Sequence, residues 1–163
     1  MIRDAVESDF EAIVGLNLES EKFLSAMDLP RLRTLHAQCA CCRVVAGNDG
    51  LLAFLLAFRE RSAYDSENYR WFDARYPSFL YIDRVVVAAS QQGKGWGAKL
   101  YNDLFELARS HGVTRVTCEF DVEPPNEVSQ RFHERFGFRE VGSQNVTYAA
   151  KRVSMQEVTL ATR

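Results

Sequence analysis

At 163 residues, 47% hydrophobic and with a net charge of −2, the chain is long enough for one folded domain with its own core. Its basic residues are scattered, which gives nucleic acid no electrostatic footprint, and its longest apolar stretches, near Phe79 to Ile82 and Val85 to Ala89, are too short to span a bilayer. Acidic residues in "MIRDAVESDFEAIV" stand where a secretory leader needs an apolar segment, so a cytoplasmic protein is expected, with neither a membrane nor a nucleic-acid partner.

The chain opens with a short strand near Ile2 to Ala5 and a helix over about Ser8 to Leu18. Ser8 reads as its N-cap, Glu11 as the capping-box partner, and Phe10, Ile13, Val14 and Leu18 as one apolar face. A second helix covers Pro30 to Gln38. Strands Cys42 to Ala46 and Leu51 to Phe58 follow, joined by the hairpin signal "GNDG". Residues 60 to 78 are rich in aromatics and charges and include a short helix. The pattern then runs through a strand (Phe79 to Ala88), a helix (Trp96 to Ser110), a strand (Arg115 to Phe120), a helix (Asn126 to Phe136) and two closing strands (Phe138 to Val146 and Arg152 to Leu160). No repeat or linker divides it, so 1–163 is read as a single α/β domain, with a mixed sheet carrying helices on both faces.

"HAQCACC" sets Cys39, Cys41 and Cys42 beside His36. Cys41 and Cys42 adjoin in a strand, where neighbours point to opposite faces, and no second Cys-x-x-Cys pair completes a tetrahedral site. The reading is small core thiols and no metal.

"SQQGKGWGAKLY" places glycines at 93, 95 and 97 between a Val-rich strand and a helix. Such a turn lets backbone N–H groups approach phosphate oxygens at a helix start. A Walker loop would need Ser or Thr after Lys94, where Gly95 stands, and a dinucleotide fingerprint would need G-x-G-x-x-G after the first strand of a βαβ unit. Neither fits. The pattern Gln92-x-x-Gly95-x-Gly97 resembles the acyl-CoA signature of the GNAT superfamily of N-acyltransferases. The resemblance continues through "IRDAVESDFEAIVGLN", "LYIDRVVVAAS" and "PPNEVSQRFHERFGFREVG", and the variant "YIDRVVV … TCEFDVEPPN" is similar to a bacterial branch of acetyltransferases.

That resemblance implies a mostly antiparallel central sheet of about seven strands flanked by about four helices. It implies acetyl-CoA as the acyl donor, its pyrophosphate cradled by Gly93, Lys94, Gly95, Trp96, Gly97 and Ala98 after Gln92. It also implies that its pantetheine pairs with the main chain of Val85, Val86 and Val87, with Asn126 touching the cofactor. A primary amine is the acceptor that the resemblance implies; a homodimer is left open. A non-catalytic acyl-CoA sensor or interaction module with the same fold is the alternative.

Acetyl transfer needs a neutral amine, stabilisation of the carbonyl oxygen and a proton for the thiolate. A main-chain N–H at the end of the Val85–Val87 strand can meet the second demand. For the base, Asp83 is the anomaly inside an apolar strand: alternation sets it on one face with Tyr81, Val85 and Val87. An internal ion pair is an equally good reading, Glu119 and Asp121 share a face of the next strand as competitors, and water can relay the proton from an already neutral amine. For the acid, the family places Tyr seven residues after the helix Asn; counting from Asn126 gives His133, which departs from that pattern. The apolar repeat Val128, Phe132, Phe136 sets His133 beside the core stripe, where a plain surface histidine competes with a catalytic one. Acceptor selection is expected from Asn17 to Leu35 and from Arg59 to Ser78, where Asp65, Glu67 and Asp73 suit a cationic amine and a packed flap is the other reading.

Overall fold

The computed structural model describes residues 1–22 and 24–162. Seven strands form one sheet in the order β1-β2-β3-β4-β5-β7-β6: β1 (Ile2–Asp4), β2 (Cys41–Gly47), β3 (Gly50–Arg59), β4 (Leu80–Val87), β5 (Arg115–Glu123), β6 (Arg139–Asn145) and β7 (Arg152–Thr159). The helices are α1 (Phe10–Glu19), α2 (Leu29–Gln38), α3 (Glu67–Asp73), α4 (Trp96–Ser110) and α5 (Glu127–Arg135). Every strand pair is antiparallel except β4 with β5, which α4 connects as a crossover. The expected α/β architecture is present, with five helices where about four were expected. Among the described residues no helix is long and apolar enough to cross a membrane.

Two cores flank the sheet. On one face Ile13, Leu32, Leu35, Tyr69 and Phe72 pack on Phe54, Leu56 and Phe58 of β3. On the other, Leu100, Tyr101, Leu104 and Phe105 pack on Ala53, Leu55 and Ala57. The period of two along β3 separates the two sets. Cys41 and Cys42 fall into opposite cores, as strand alternation requires. Burial holds the Cys39 and Cys41 thiols at about 11 and about 12, so they stay protonated.

Local chemistry sets the helix starts. Asp28 Oδ1 accepts the Arg31 N–H at 2.8 Å to cap α2, and Asn126 Oδ1 accepts the Ser129 N–H at 3.2 Å to cap α5. The start of α1 differs from the expectation. A single 3₁₀ turn, Glu7–Asp9, precedes it, and Asp9, not Ser8, closes the turn by accepting the Val6 N–H at 2.9 Å. Arg3 clamps the same carboxylate at 2.7 and 2.9 Å, a local fixture invisible to a capping-box search. Leu18, expected on the apolar face, is 65% exposed, and Leu16 and Asn17 are buried instead.

The feature that positions the site is a break in β4. Opposite β3, Leu56 pairs with Arg84 but Ala57 pairs with Ile82, so Asp83 is an extra residue, a β-bulge. Alternation is reset there. Tyr81 and Val86 share one core, while Ile82, Val85 and Val87 belong to the other. Asp83 therefore does not share a face with Val85 and Val87, which corrects the expectation from uniform alternation. The β4–β5 ladder consists of Leu80↔Val116 and Tyr81↔Thr117. Beyond it the edge of β4 facing β5 lines a wedge between the strands.

Candidate active site

The wedge opens into a cleft of about 1330 Å³ whose walls include Ile82 to Val87 of β4 and Cys118 to Asp121 of β5. One end is formed by the turn into α4. Gly93 and Gly95 have φ of +80° and +83°, left-handed conformations that favour glycine, and a side chain built at either would meet open space. The glycines are thus required by the backbone path and leave the space in front of it free. Gly97 is different: it lies inside α4 with an ordinary φ, and a Cβ there would meet Phe132 of α5 at 3.6 Å, an ordinary packing contact. Gly95 is the N-cap of α4 and supplies no side-chain cap, and the first α-helical bond runs from Lys99 N to Gly95 O at 3.1 Å. The Trp96, Gly97 and Ala98 amides are the orphan donors of this helix start, and all three residues line the cleft. Val85, Val86, Val87, Gln92, Gly93, Gly95 and Asn126 line it too. Lys94 stands outside that wall, its Nζ 3.4 Å from Gln91 Oε1. Uncapped donors, open space and an unpaired strand edge are the features that a pyrophosphate and an amide-bearing pantetheine arm require.

The other end holds three carboxylates of different character. Asp83 is fully engaged: the Tyr64 hydroxyl donates to Oδ1 and Arg84 Nε donates to Oδ2 at 2.6 Å. Arg84 is itself buried and reaches Asn17 Oδ1 at 2.9 Å and the Ser25 carbonyl at 3.1 Å, tying the bulge to α1 and the segment after it. Burial of Arg84 opposes its charge, but Asp83 outweighs it and keeps the guanidinium firmly protonated. The ion-pair reading of Asp83 therefore describes its contacts, and its partner is its own neighbour. Asp121 pairs with Lys151 at 3.1 Å.

Glu119 is hydrogen-bonded to neutral donors. Tyr81 Oη donates to Oε2 at 2.7 Å and Asn68 Nδ2 donates to Oε1 at 3.2 Å. Burial, reinforced by the charge of Asp83, pushes its carboxyl up to about 8; the bonds from Tyr81 and Asn68 and the charge of Lys151 hold it from rising further. A carboxyl raised toward neutrality inside a cleft is a candidate for acid–base work.

His133 is not beside the core but in it, 5% exposed, and the expected core residue Val128 is 79% exposed. The stripe of α5 is rotated: Phe132, His133 and Phe136 meet Tyr101. His133 Nδ1 lies 2.7 Å from the Ser129 carbonyl, so Nδ1 carries the proton and Nε2 accepts from the Tyr101 hydroxyl at 2.7 Å. Burial lowers the pKa of the ring, which favours this neutral state. In this state His133 is an acceptor.

The two segments expected to select the acceptor do reach the cleft, through Ser20, Leu24, Ser25, Ala26 and Arg31, and through Tyr64 to Asn68. Phe23 lies outside the described residues. The later aromatics Tyr69 and Phe72 are buried as a packed flap, so the second segment divides between the two readings. Its acids are occupied: Asp65 by Arg31, Glu67 by Thr147 and Asp73 by the Arg61 N–H. Sequence reasoning missed Asn68, Tyr101 and Tyr148, neutral residues whose importance comes only from what they touch.

A glycine-lined helix start with free amides and a half-buried carboxyl stand at opposite ends of a strand wedge, an arrangement with donors and room for an anionic group beside a titratable side chain. The model of the acetyltransferase (GNAT) family matches residues 9–138, and the chain belongs to that family. Phosphinothricin N-acetyltransferase of Streptomyces coelicolor is 41% identical over 59 residues, a stretch that is 36% of this chain and about a third (33%) of that protein. Ard1 from Thermoplasma volcanium superposes with a TM-score of 0.78 at 15% identity, covering 99% of this chain and 97% of its own. The yncA acetyltransferase from Salmonella typhimurium, solved with its cofactor acetyl-CoA, gives 0.72 at 18% identity, covering 100% and 95%. These two share the fold.

Proposed function

We propose that the protein transfers an acetyl group from acetyl-CoA to a primary amine, with Glu119 as the base. The observation that carries this reading is the place of Glu119: a half-buried carboxyl hydrogen-bonded to Tyr81 and Asn68, facing the cleft that the α4 glycine turn opens onto, where desolvation pushes it up to about 8. Membership in the acetyltransferase family and the acetyl-CoA of the Salmonella structure support the choice of donor.

Acetyl-CoA supplies the activated thioester. The Trp96, Gly97 and Ala98 amides hold its pyrophosphate, and the unpaired edge of Val85 to Val87 aligns its pantetheine and offers an N–H to the acetyl carbonyl oxygen. Glu119 accepts the proton that the amine nitrogen sheds as the N–C bond forms and the C–S bond breaks. Sulfur needs little help to leave, since a thiol titrates near 8.5, so water suffices to protonate it. Asp83, ion-paired, shapes the bulge instead of acting as base, and His133 holds Tyr101. The acceptor enters between Arg31, Tyr64 and Tyr148.

The test is thiol release from acetyl-CoA with a panel of phosphinothricin, α-amino acids, polyamines and short peptides. Amine-dependent release is expected with at least one class. Coenzyme A binding with no release from any of them would contradict transfer and leave the non-catalytic sensor.

A further inference from the structure

We infer that Asn68 is a positioning residue that sets the ionisation of Glu119 and fixes the β6–β7 connection against it; the inference rests on Glu119 acting as the base. Asn68 is the second residue of α3, a helix that does not belong to the sheet, and it is buried. Its amide makes three bonds to three elements. Nδ2 donates to Glu119 Oε1 at 3.2 Å on β5 and to Tyr148 Oη at 3.2 Å, and Oδ1 accepts from Gln144 Nε2 at 2.8 Å on β6.

The third bond orients the first. With Oδ1 held by Gln144, the N–H groups must face the carboxylate, and an N–H facing a carboxylate favours its charged form. The preceding residue does related work: Glu67 accepts the Thr147 N–H at 3.0 Å and the Thr147 hydroxyl. Two consecutive residues at the start of α3 thus hold the base and the loop that carries Tyr148.

Of the other groups facing Glu119, Tyr81 acts in the same direction and more strongly, on the other carboxyl oxygen. Tyr81 donates from β4, while the charge of Asp83 disfavours ionisation. Cys118 and Asp121 flank it on β5, and Tyr101 approaches from α4 as a neutral phenol. Lys151 favours the charge but is engaged by Asp121. Asn68 is the donor from outside the sheet, and its isostere aspartate would set a second carboxylate against the first. Two carboxylates in contact cannot both ionise readily.

The experiment follows the Glu119 carboxyl by carbon-13 NMR of glutamate-labelled protein over pH 5 to 10, with Glu119→Gln assigning the signal and no acceptor needed. Titration near 8 is expected in the wild type, roughly one unit higher in Asn68→Leu, and higher again in Asn68→Asp. Tyr148→Phe keeps the Asn68–Glu119 bond and should leave the titration where it is. A merely structural role would lower the melting temperature and leave the titration unmoved. Asn68→Asp keeps the size and shape of the side chain, so it remains informative if Asn68→Leu fails to fold. Thiol release by Glu119→Gln separates the two readings. Its loss, together with an unmoved titration in the folded Asn68 variants, overturns the role of Asn68 alone; wild-type release overturns the base and this inference with it.

Discussion

Tyr81 Oη donates to Glu119 Oε2 at 2.7 Å, and it does so from the last rung of the β4–β5 ladder, one residue before β4 begins to leave its partner strand. The carboxylate therefore sits at the apex of the wedge, where two strands part and a half-buried charge meets only neutral hydrogen-bond donors. Burial raises the carboxyl from the usual 4.5 to about 8. A group whose folded pKa is raised lends its full stability below pH 4.5 and loses it progressively up to pH 8, because the folded protein must then hold a buried charge. Glu119→Gln removes that penalty. The variant should match the wild type near pH 4.5 and gain roughly 3–10 °C in melting temperature at pH 9. Melting curves across that range check it, and an equal offset at both ends would contradict a raised pKa.

Gly95 combines φ of +83° with open space in front of the helix start. Gly95→Val both strains the backbone, by about 1–3 kcal/mol, and fills the place a pyrophosphate must approach. Calorimetry with coenzyme A should show binding weakened at least about tenfold in a variant that remains folded. Wild-type affinity would move the cofactor elsewhere in the cleft.

Buried and neutral, the His133 ring accepts a hydrogen bond from the Tyr101 hydroxyl. His133→Ala leaves a buried hydroxyl without its partner and a cavity beside three phenylalanines, at a cost of about 2–4 kcal/mol. His133→Leu with Tyr101→Phe removes both partners and should recover at least about 1 kcal/mol of the sum of the single losses. Turnover per folded His133→Ala molecule should fall less than about tenfold, below the usual range for a general acid. A loss of 100-fold or more with a displaced basic limb would return His133 to the role of proton donor.

Much of the architecture is legible in the sequence because it depends on local periodicity. The strand and helix order and the place of the glycine turn before α4 follow from residue type and spacing. The misreadings lie where a non-local pairing overrides the local period. Uniform alternation assigns Asp83 to the face of Val85, and only the register against β3 shows the extra residue. The stripe of α5 is shifted because Tyr101, on a different helix, offers His133 a hydrogen bond that makes its burial tolerable. Glu119 was visible as a carboxylate on the right face of β5, but its distinction from Asp121 depends on Lys151, Tyr81 and Asn68, which are remote in sequence. The acidic residues of the 59–78 segment look available to an amine in the sequence, whereas Arg31, Thr147 and Arg61 already occupy them.

Trp71 of α3 explains a glycine in β6 that has an ordinary φ. A Cβ at Gly142 would lie 2.4 Å from Trp71 Cζ2, and the indole has little room to yield because Arg75 stacks on it at 3.8 Å. Gly142→Val should cost about 1–3 kcal/mol by overpacking. Denaturant unfolding checks the value, and Gly142→Val with Trp71→Ala should recover part of it. No recovery would mean that the indole does not oppose that position.

If Glu119 takes the proton from the amine, the rate must follow its ionisation. With the best amine from the panel, kcat/KM for thiol release by the wild type, referred to the concentration of neutral amine so that the acceptor's own ionisation drops out, should rise about tenfold per pH unit below 8 and level off above it, because only the ionised carboxylate of the free enzyme can act. The measurement is that profile beside the one for Glu119→Gln. The variant should fall by about 100-fold or more on the plateau and lose the limb near 8. A variant that keeps both the limb and the plateau would contradict it, and the proton would then pass to another group.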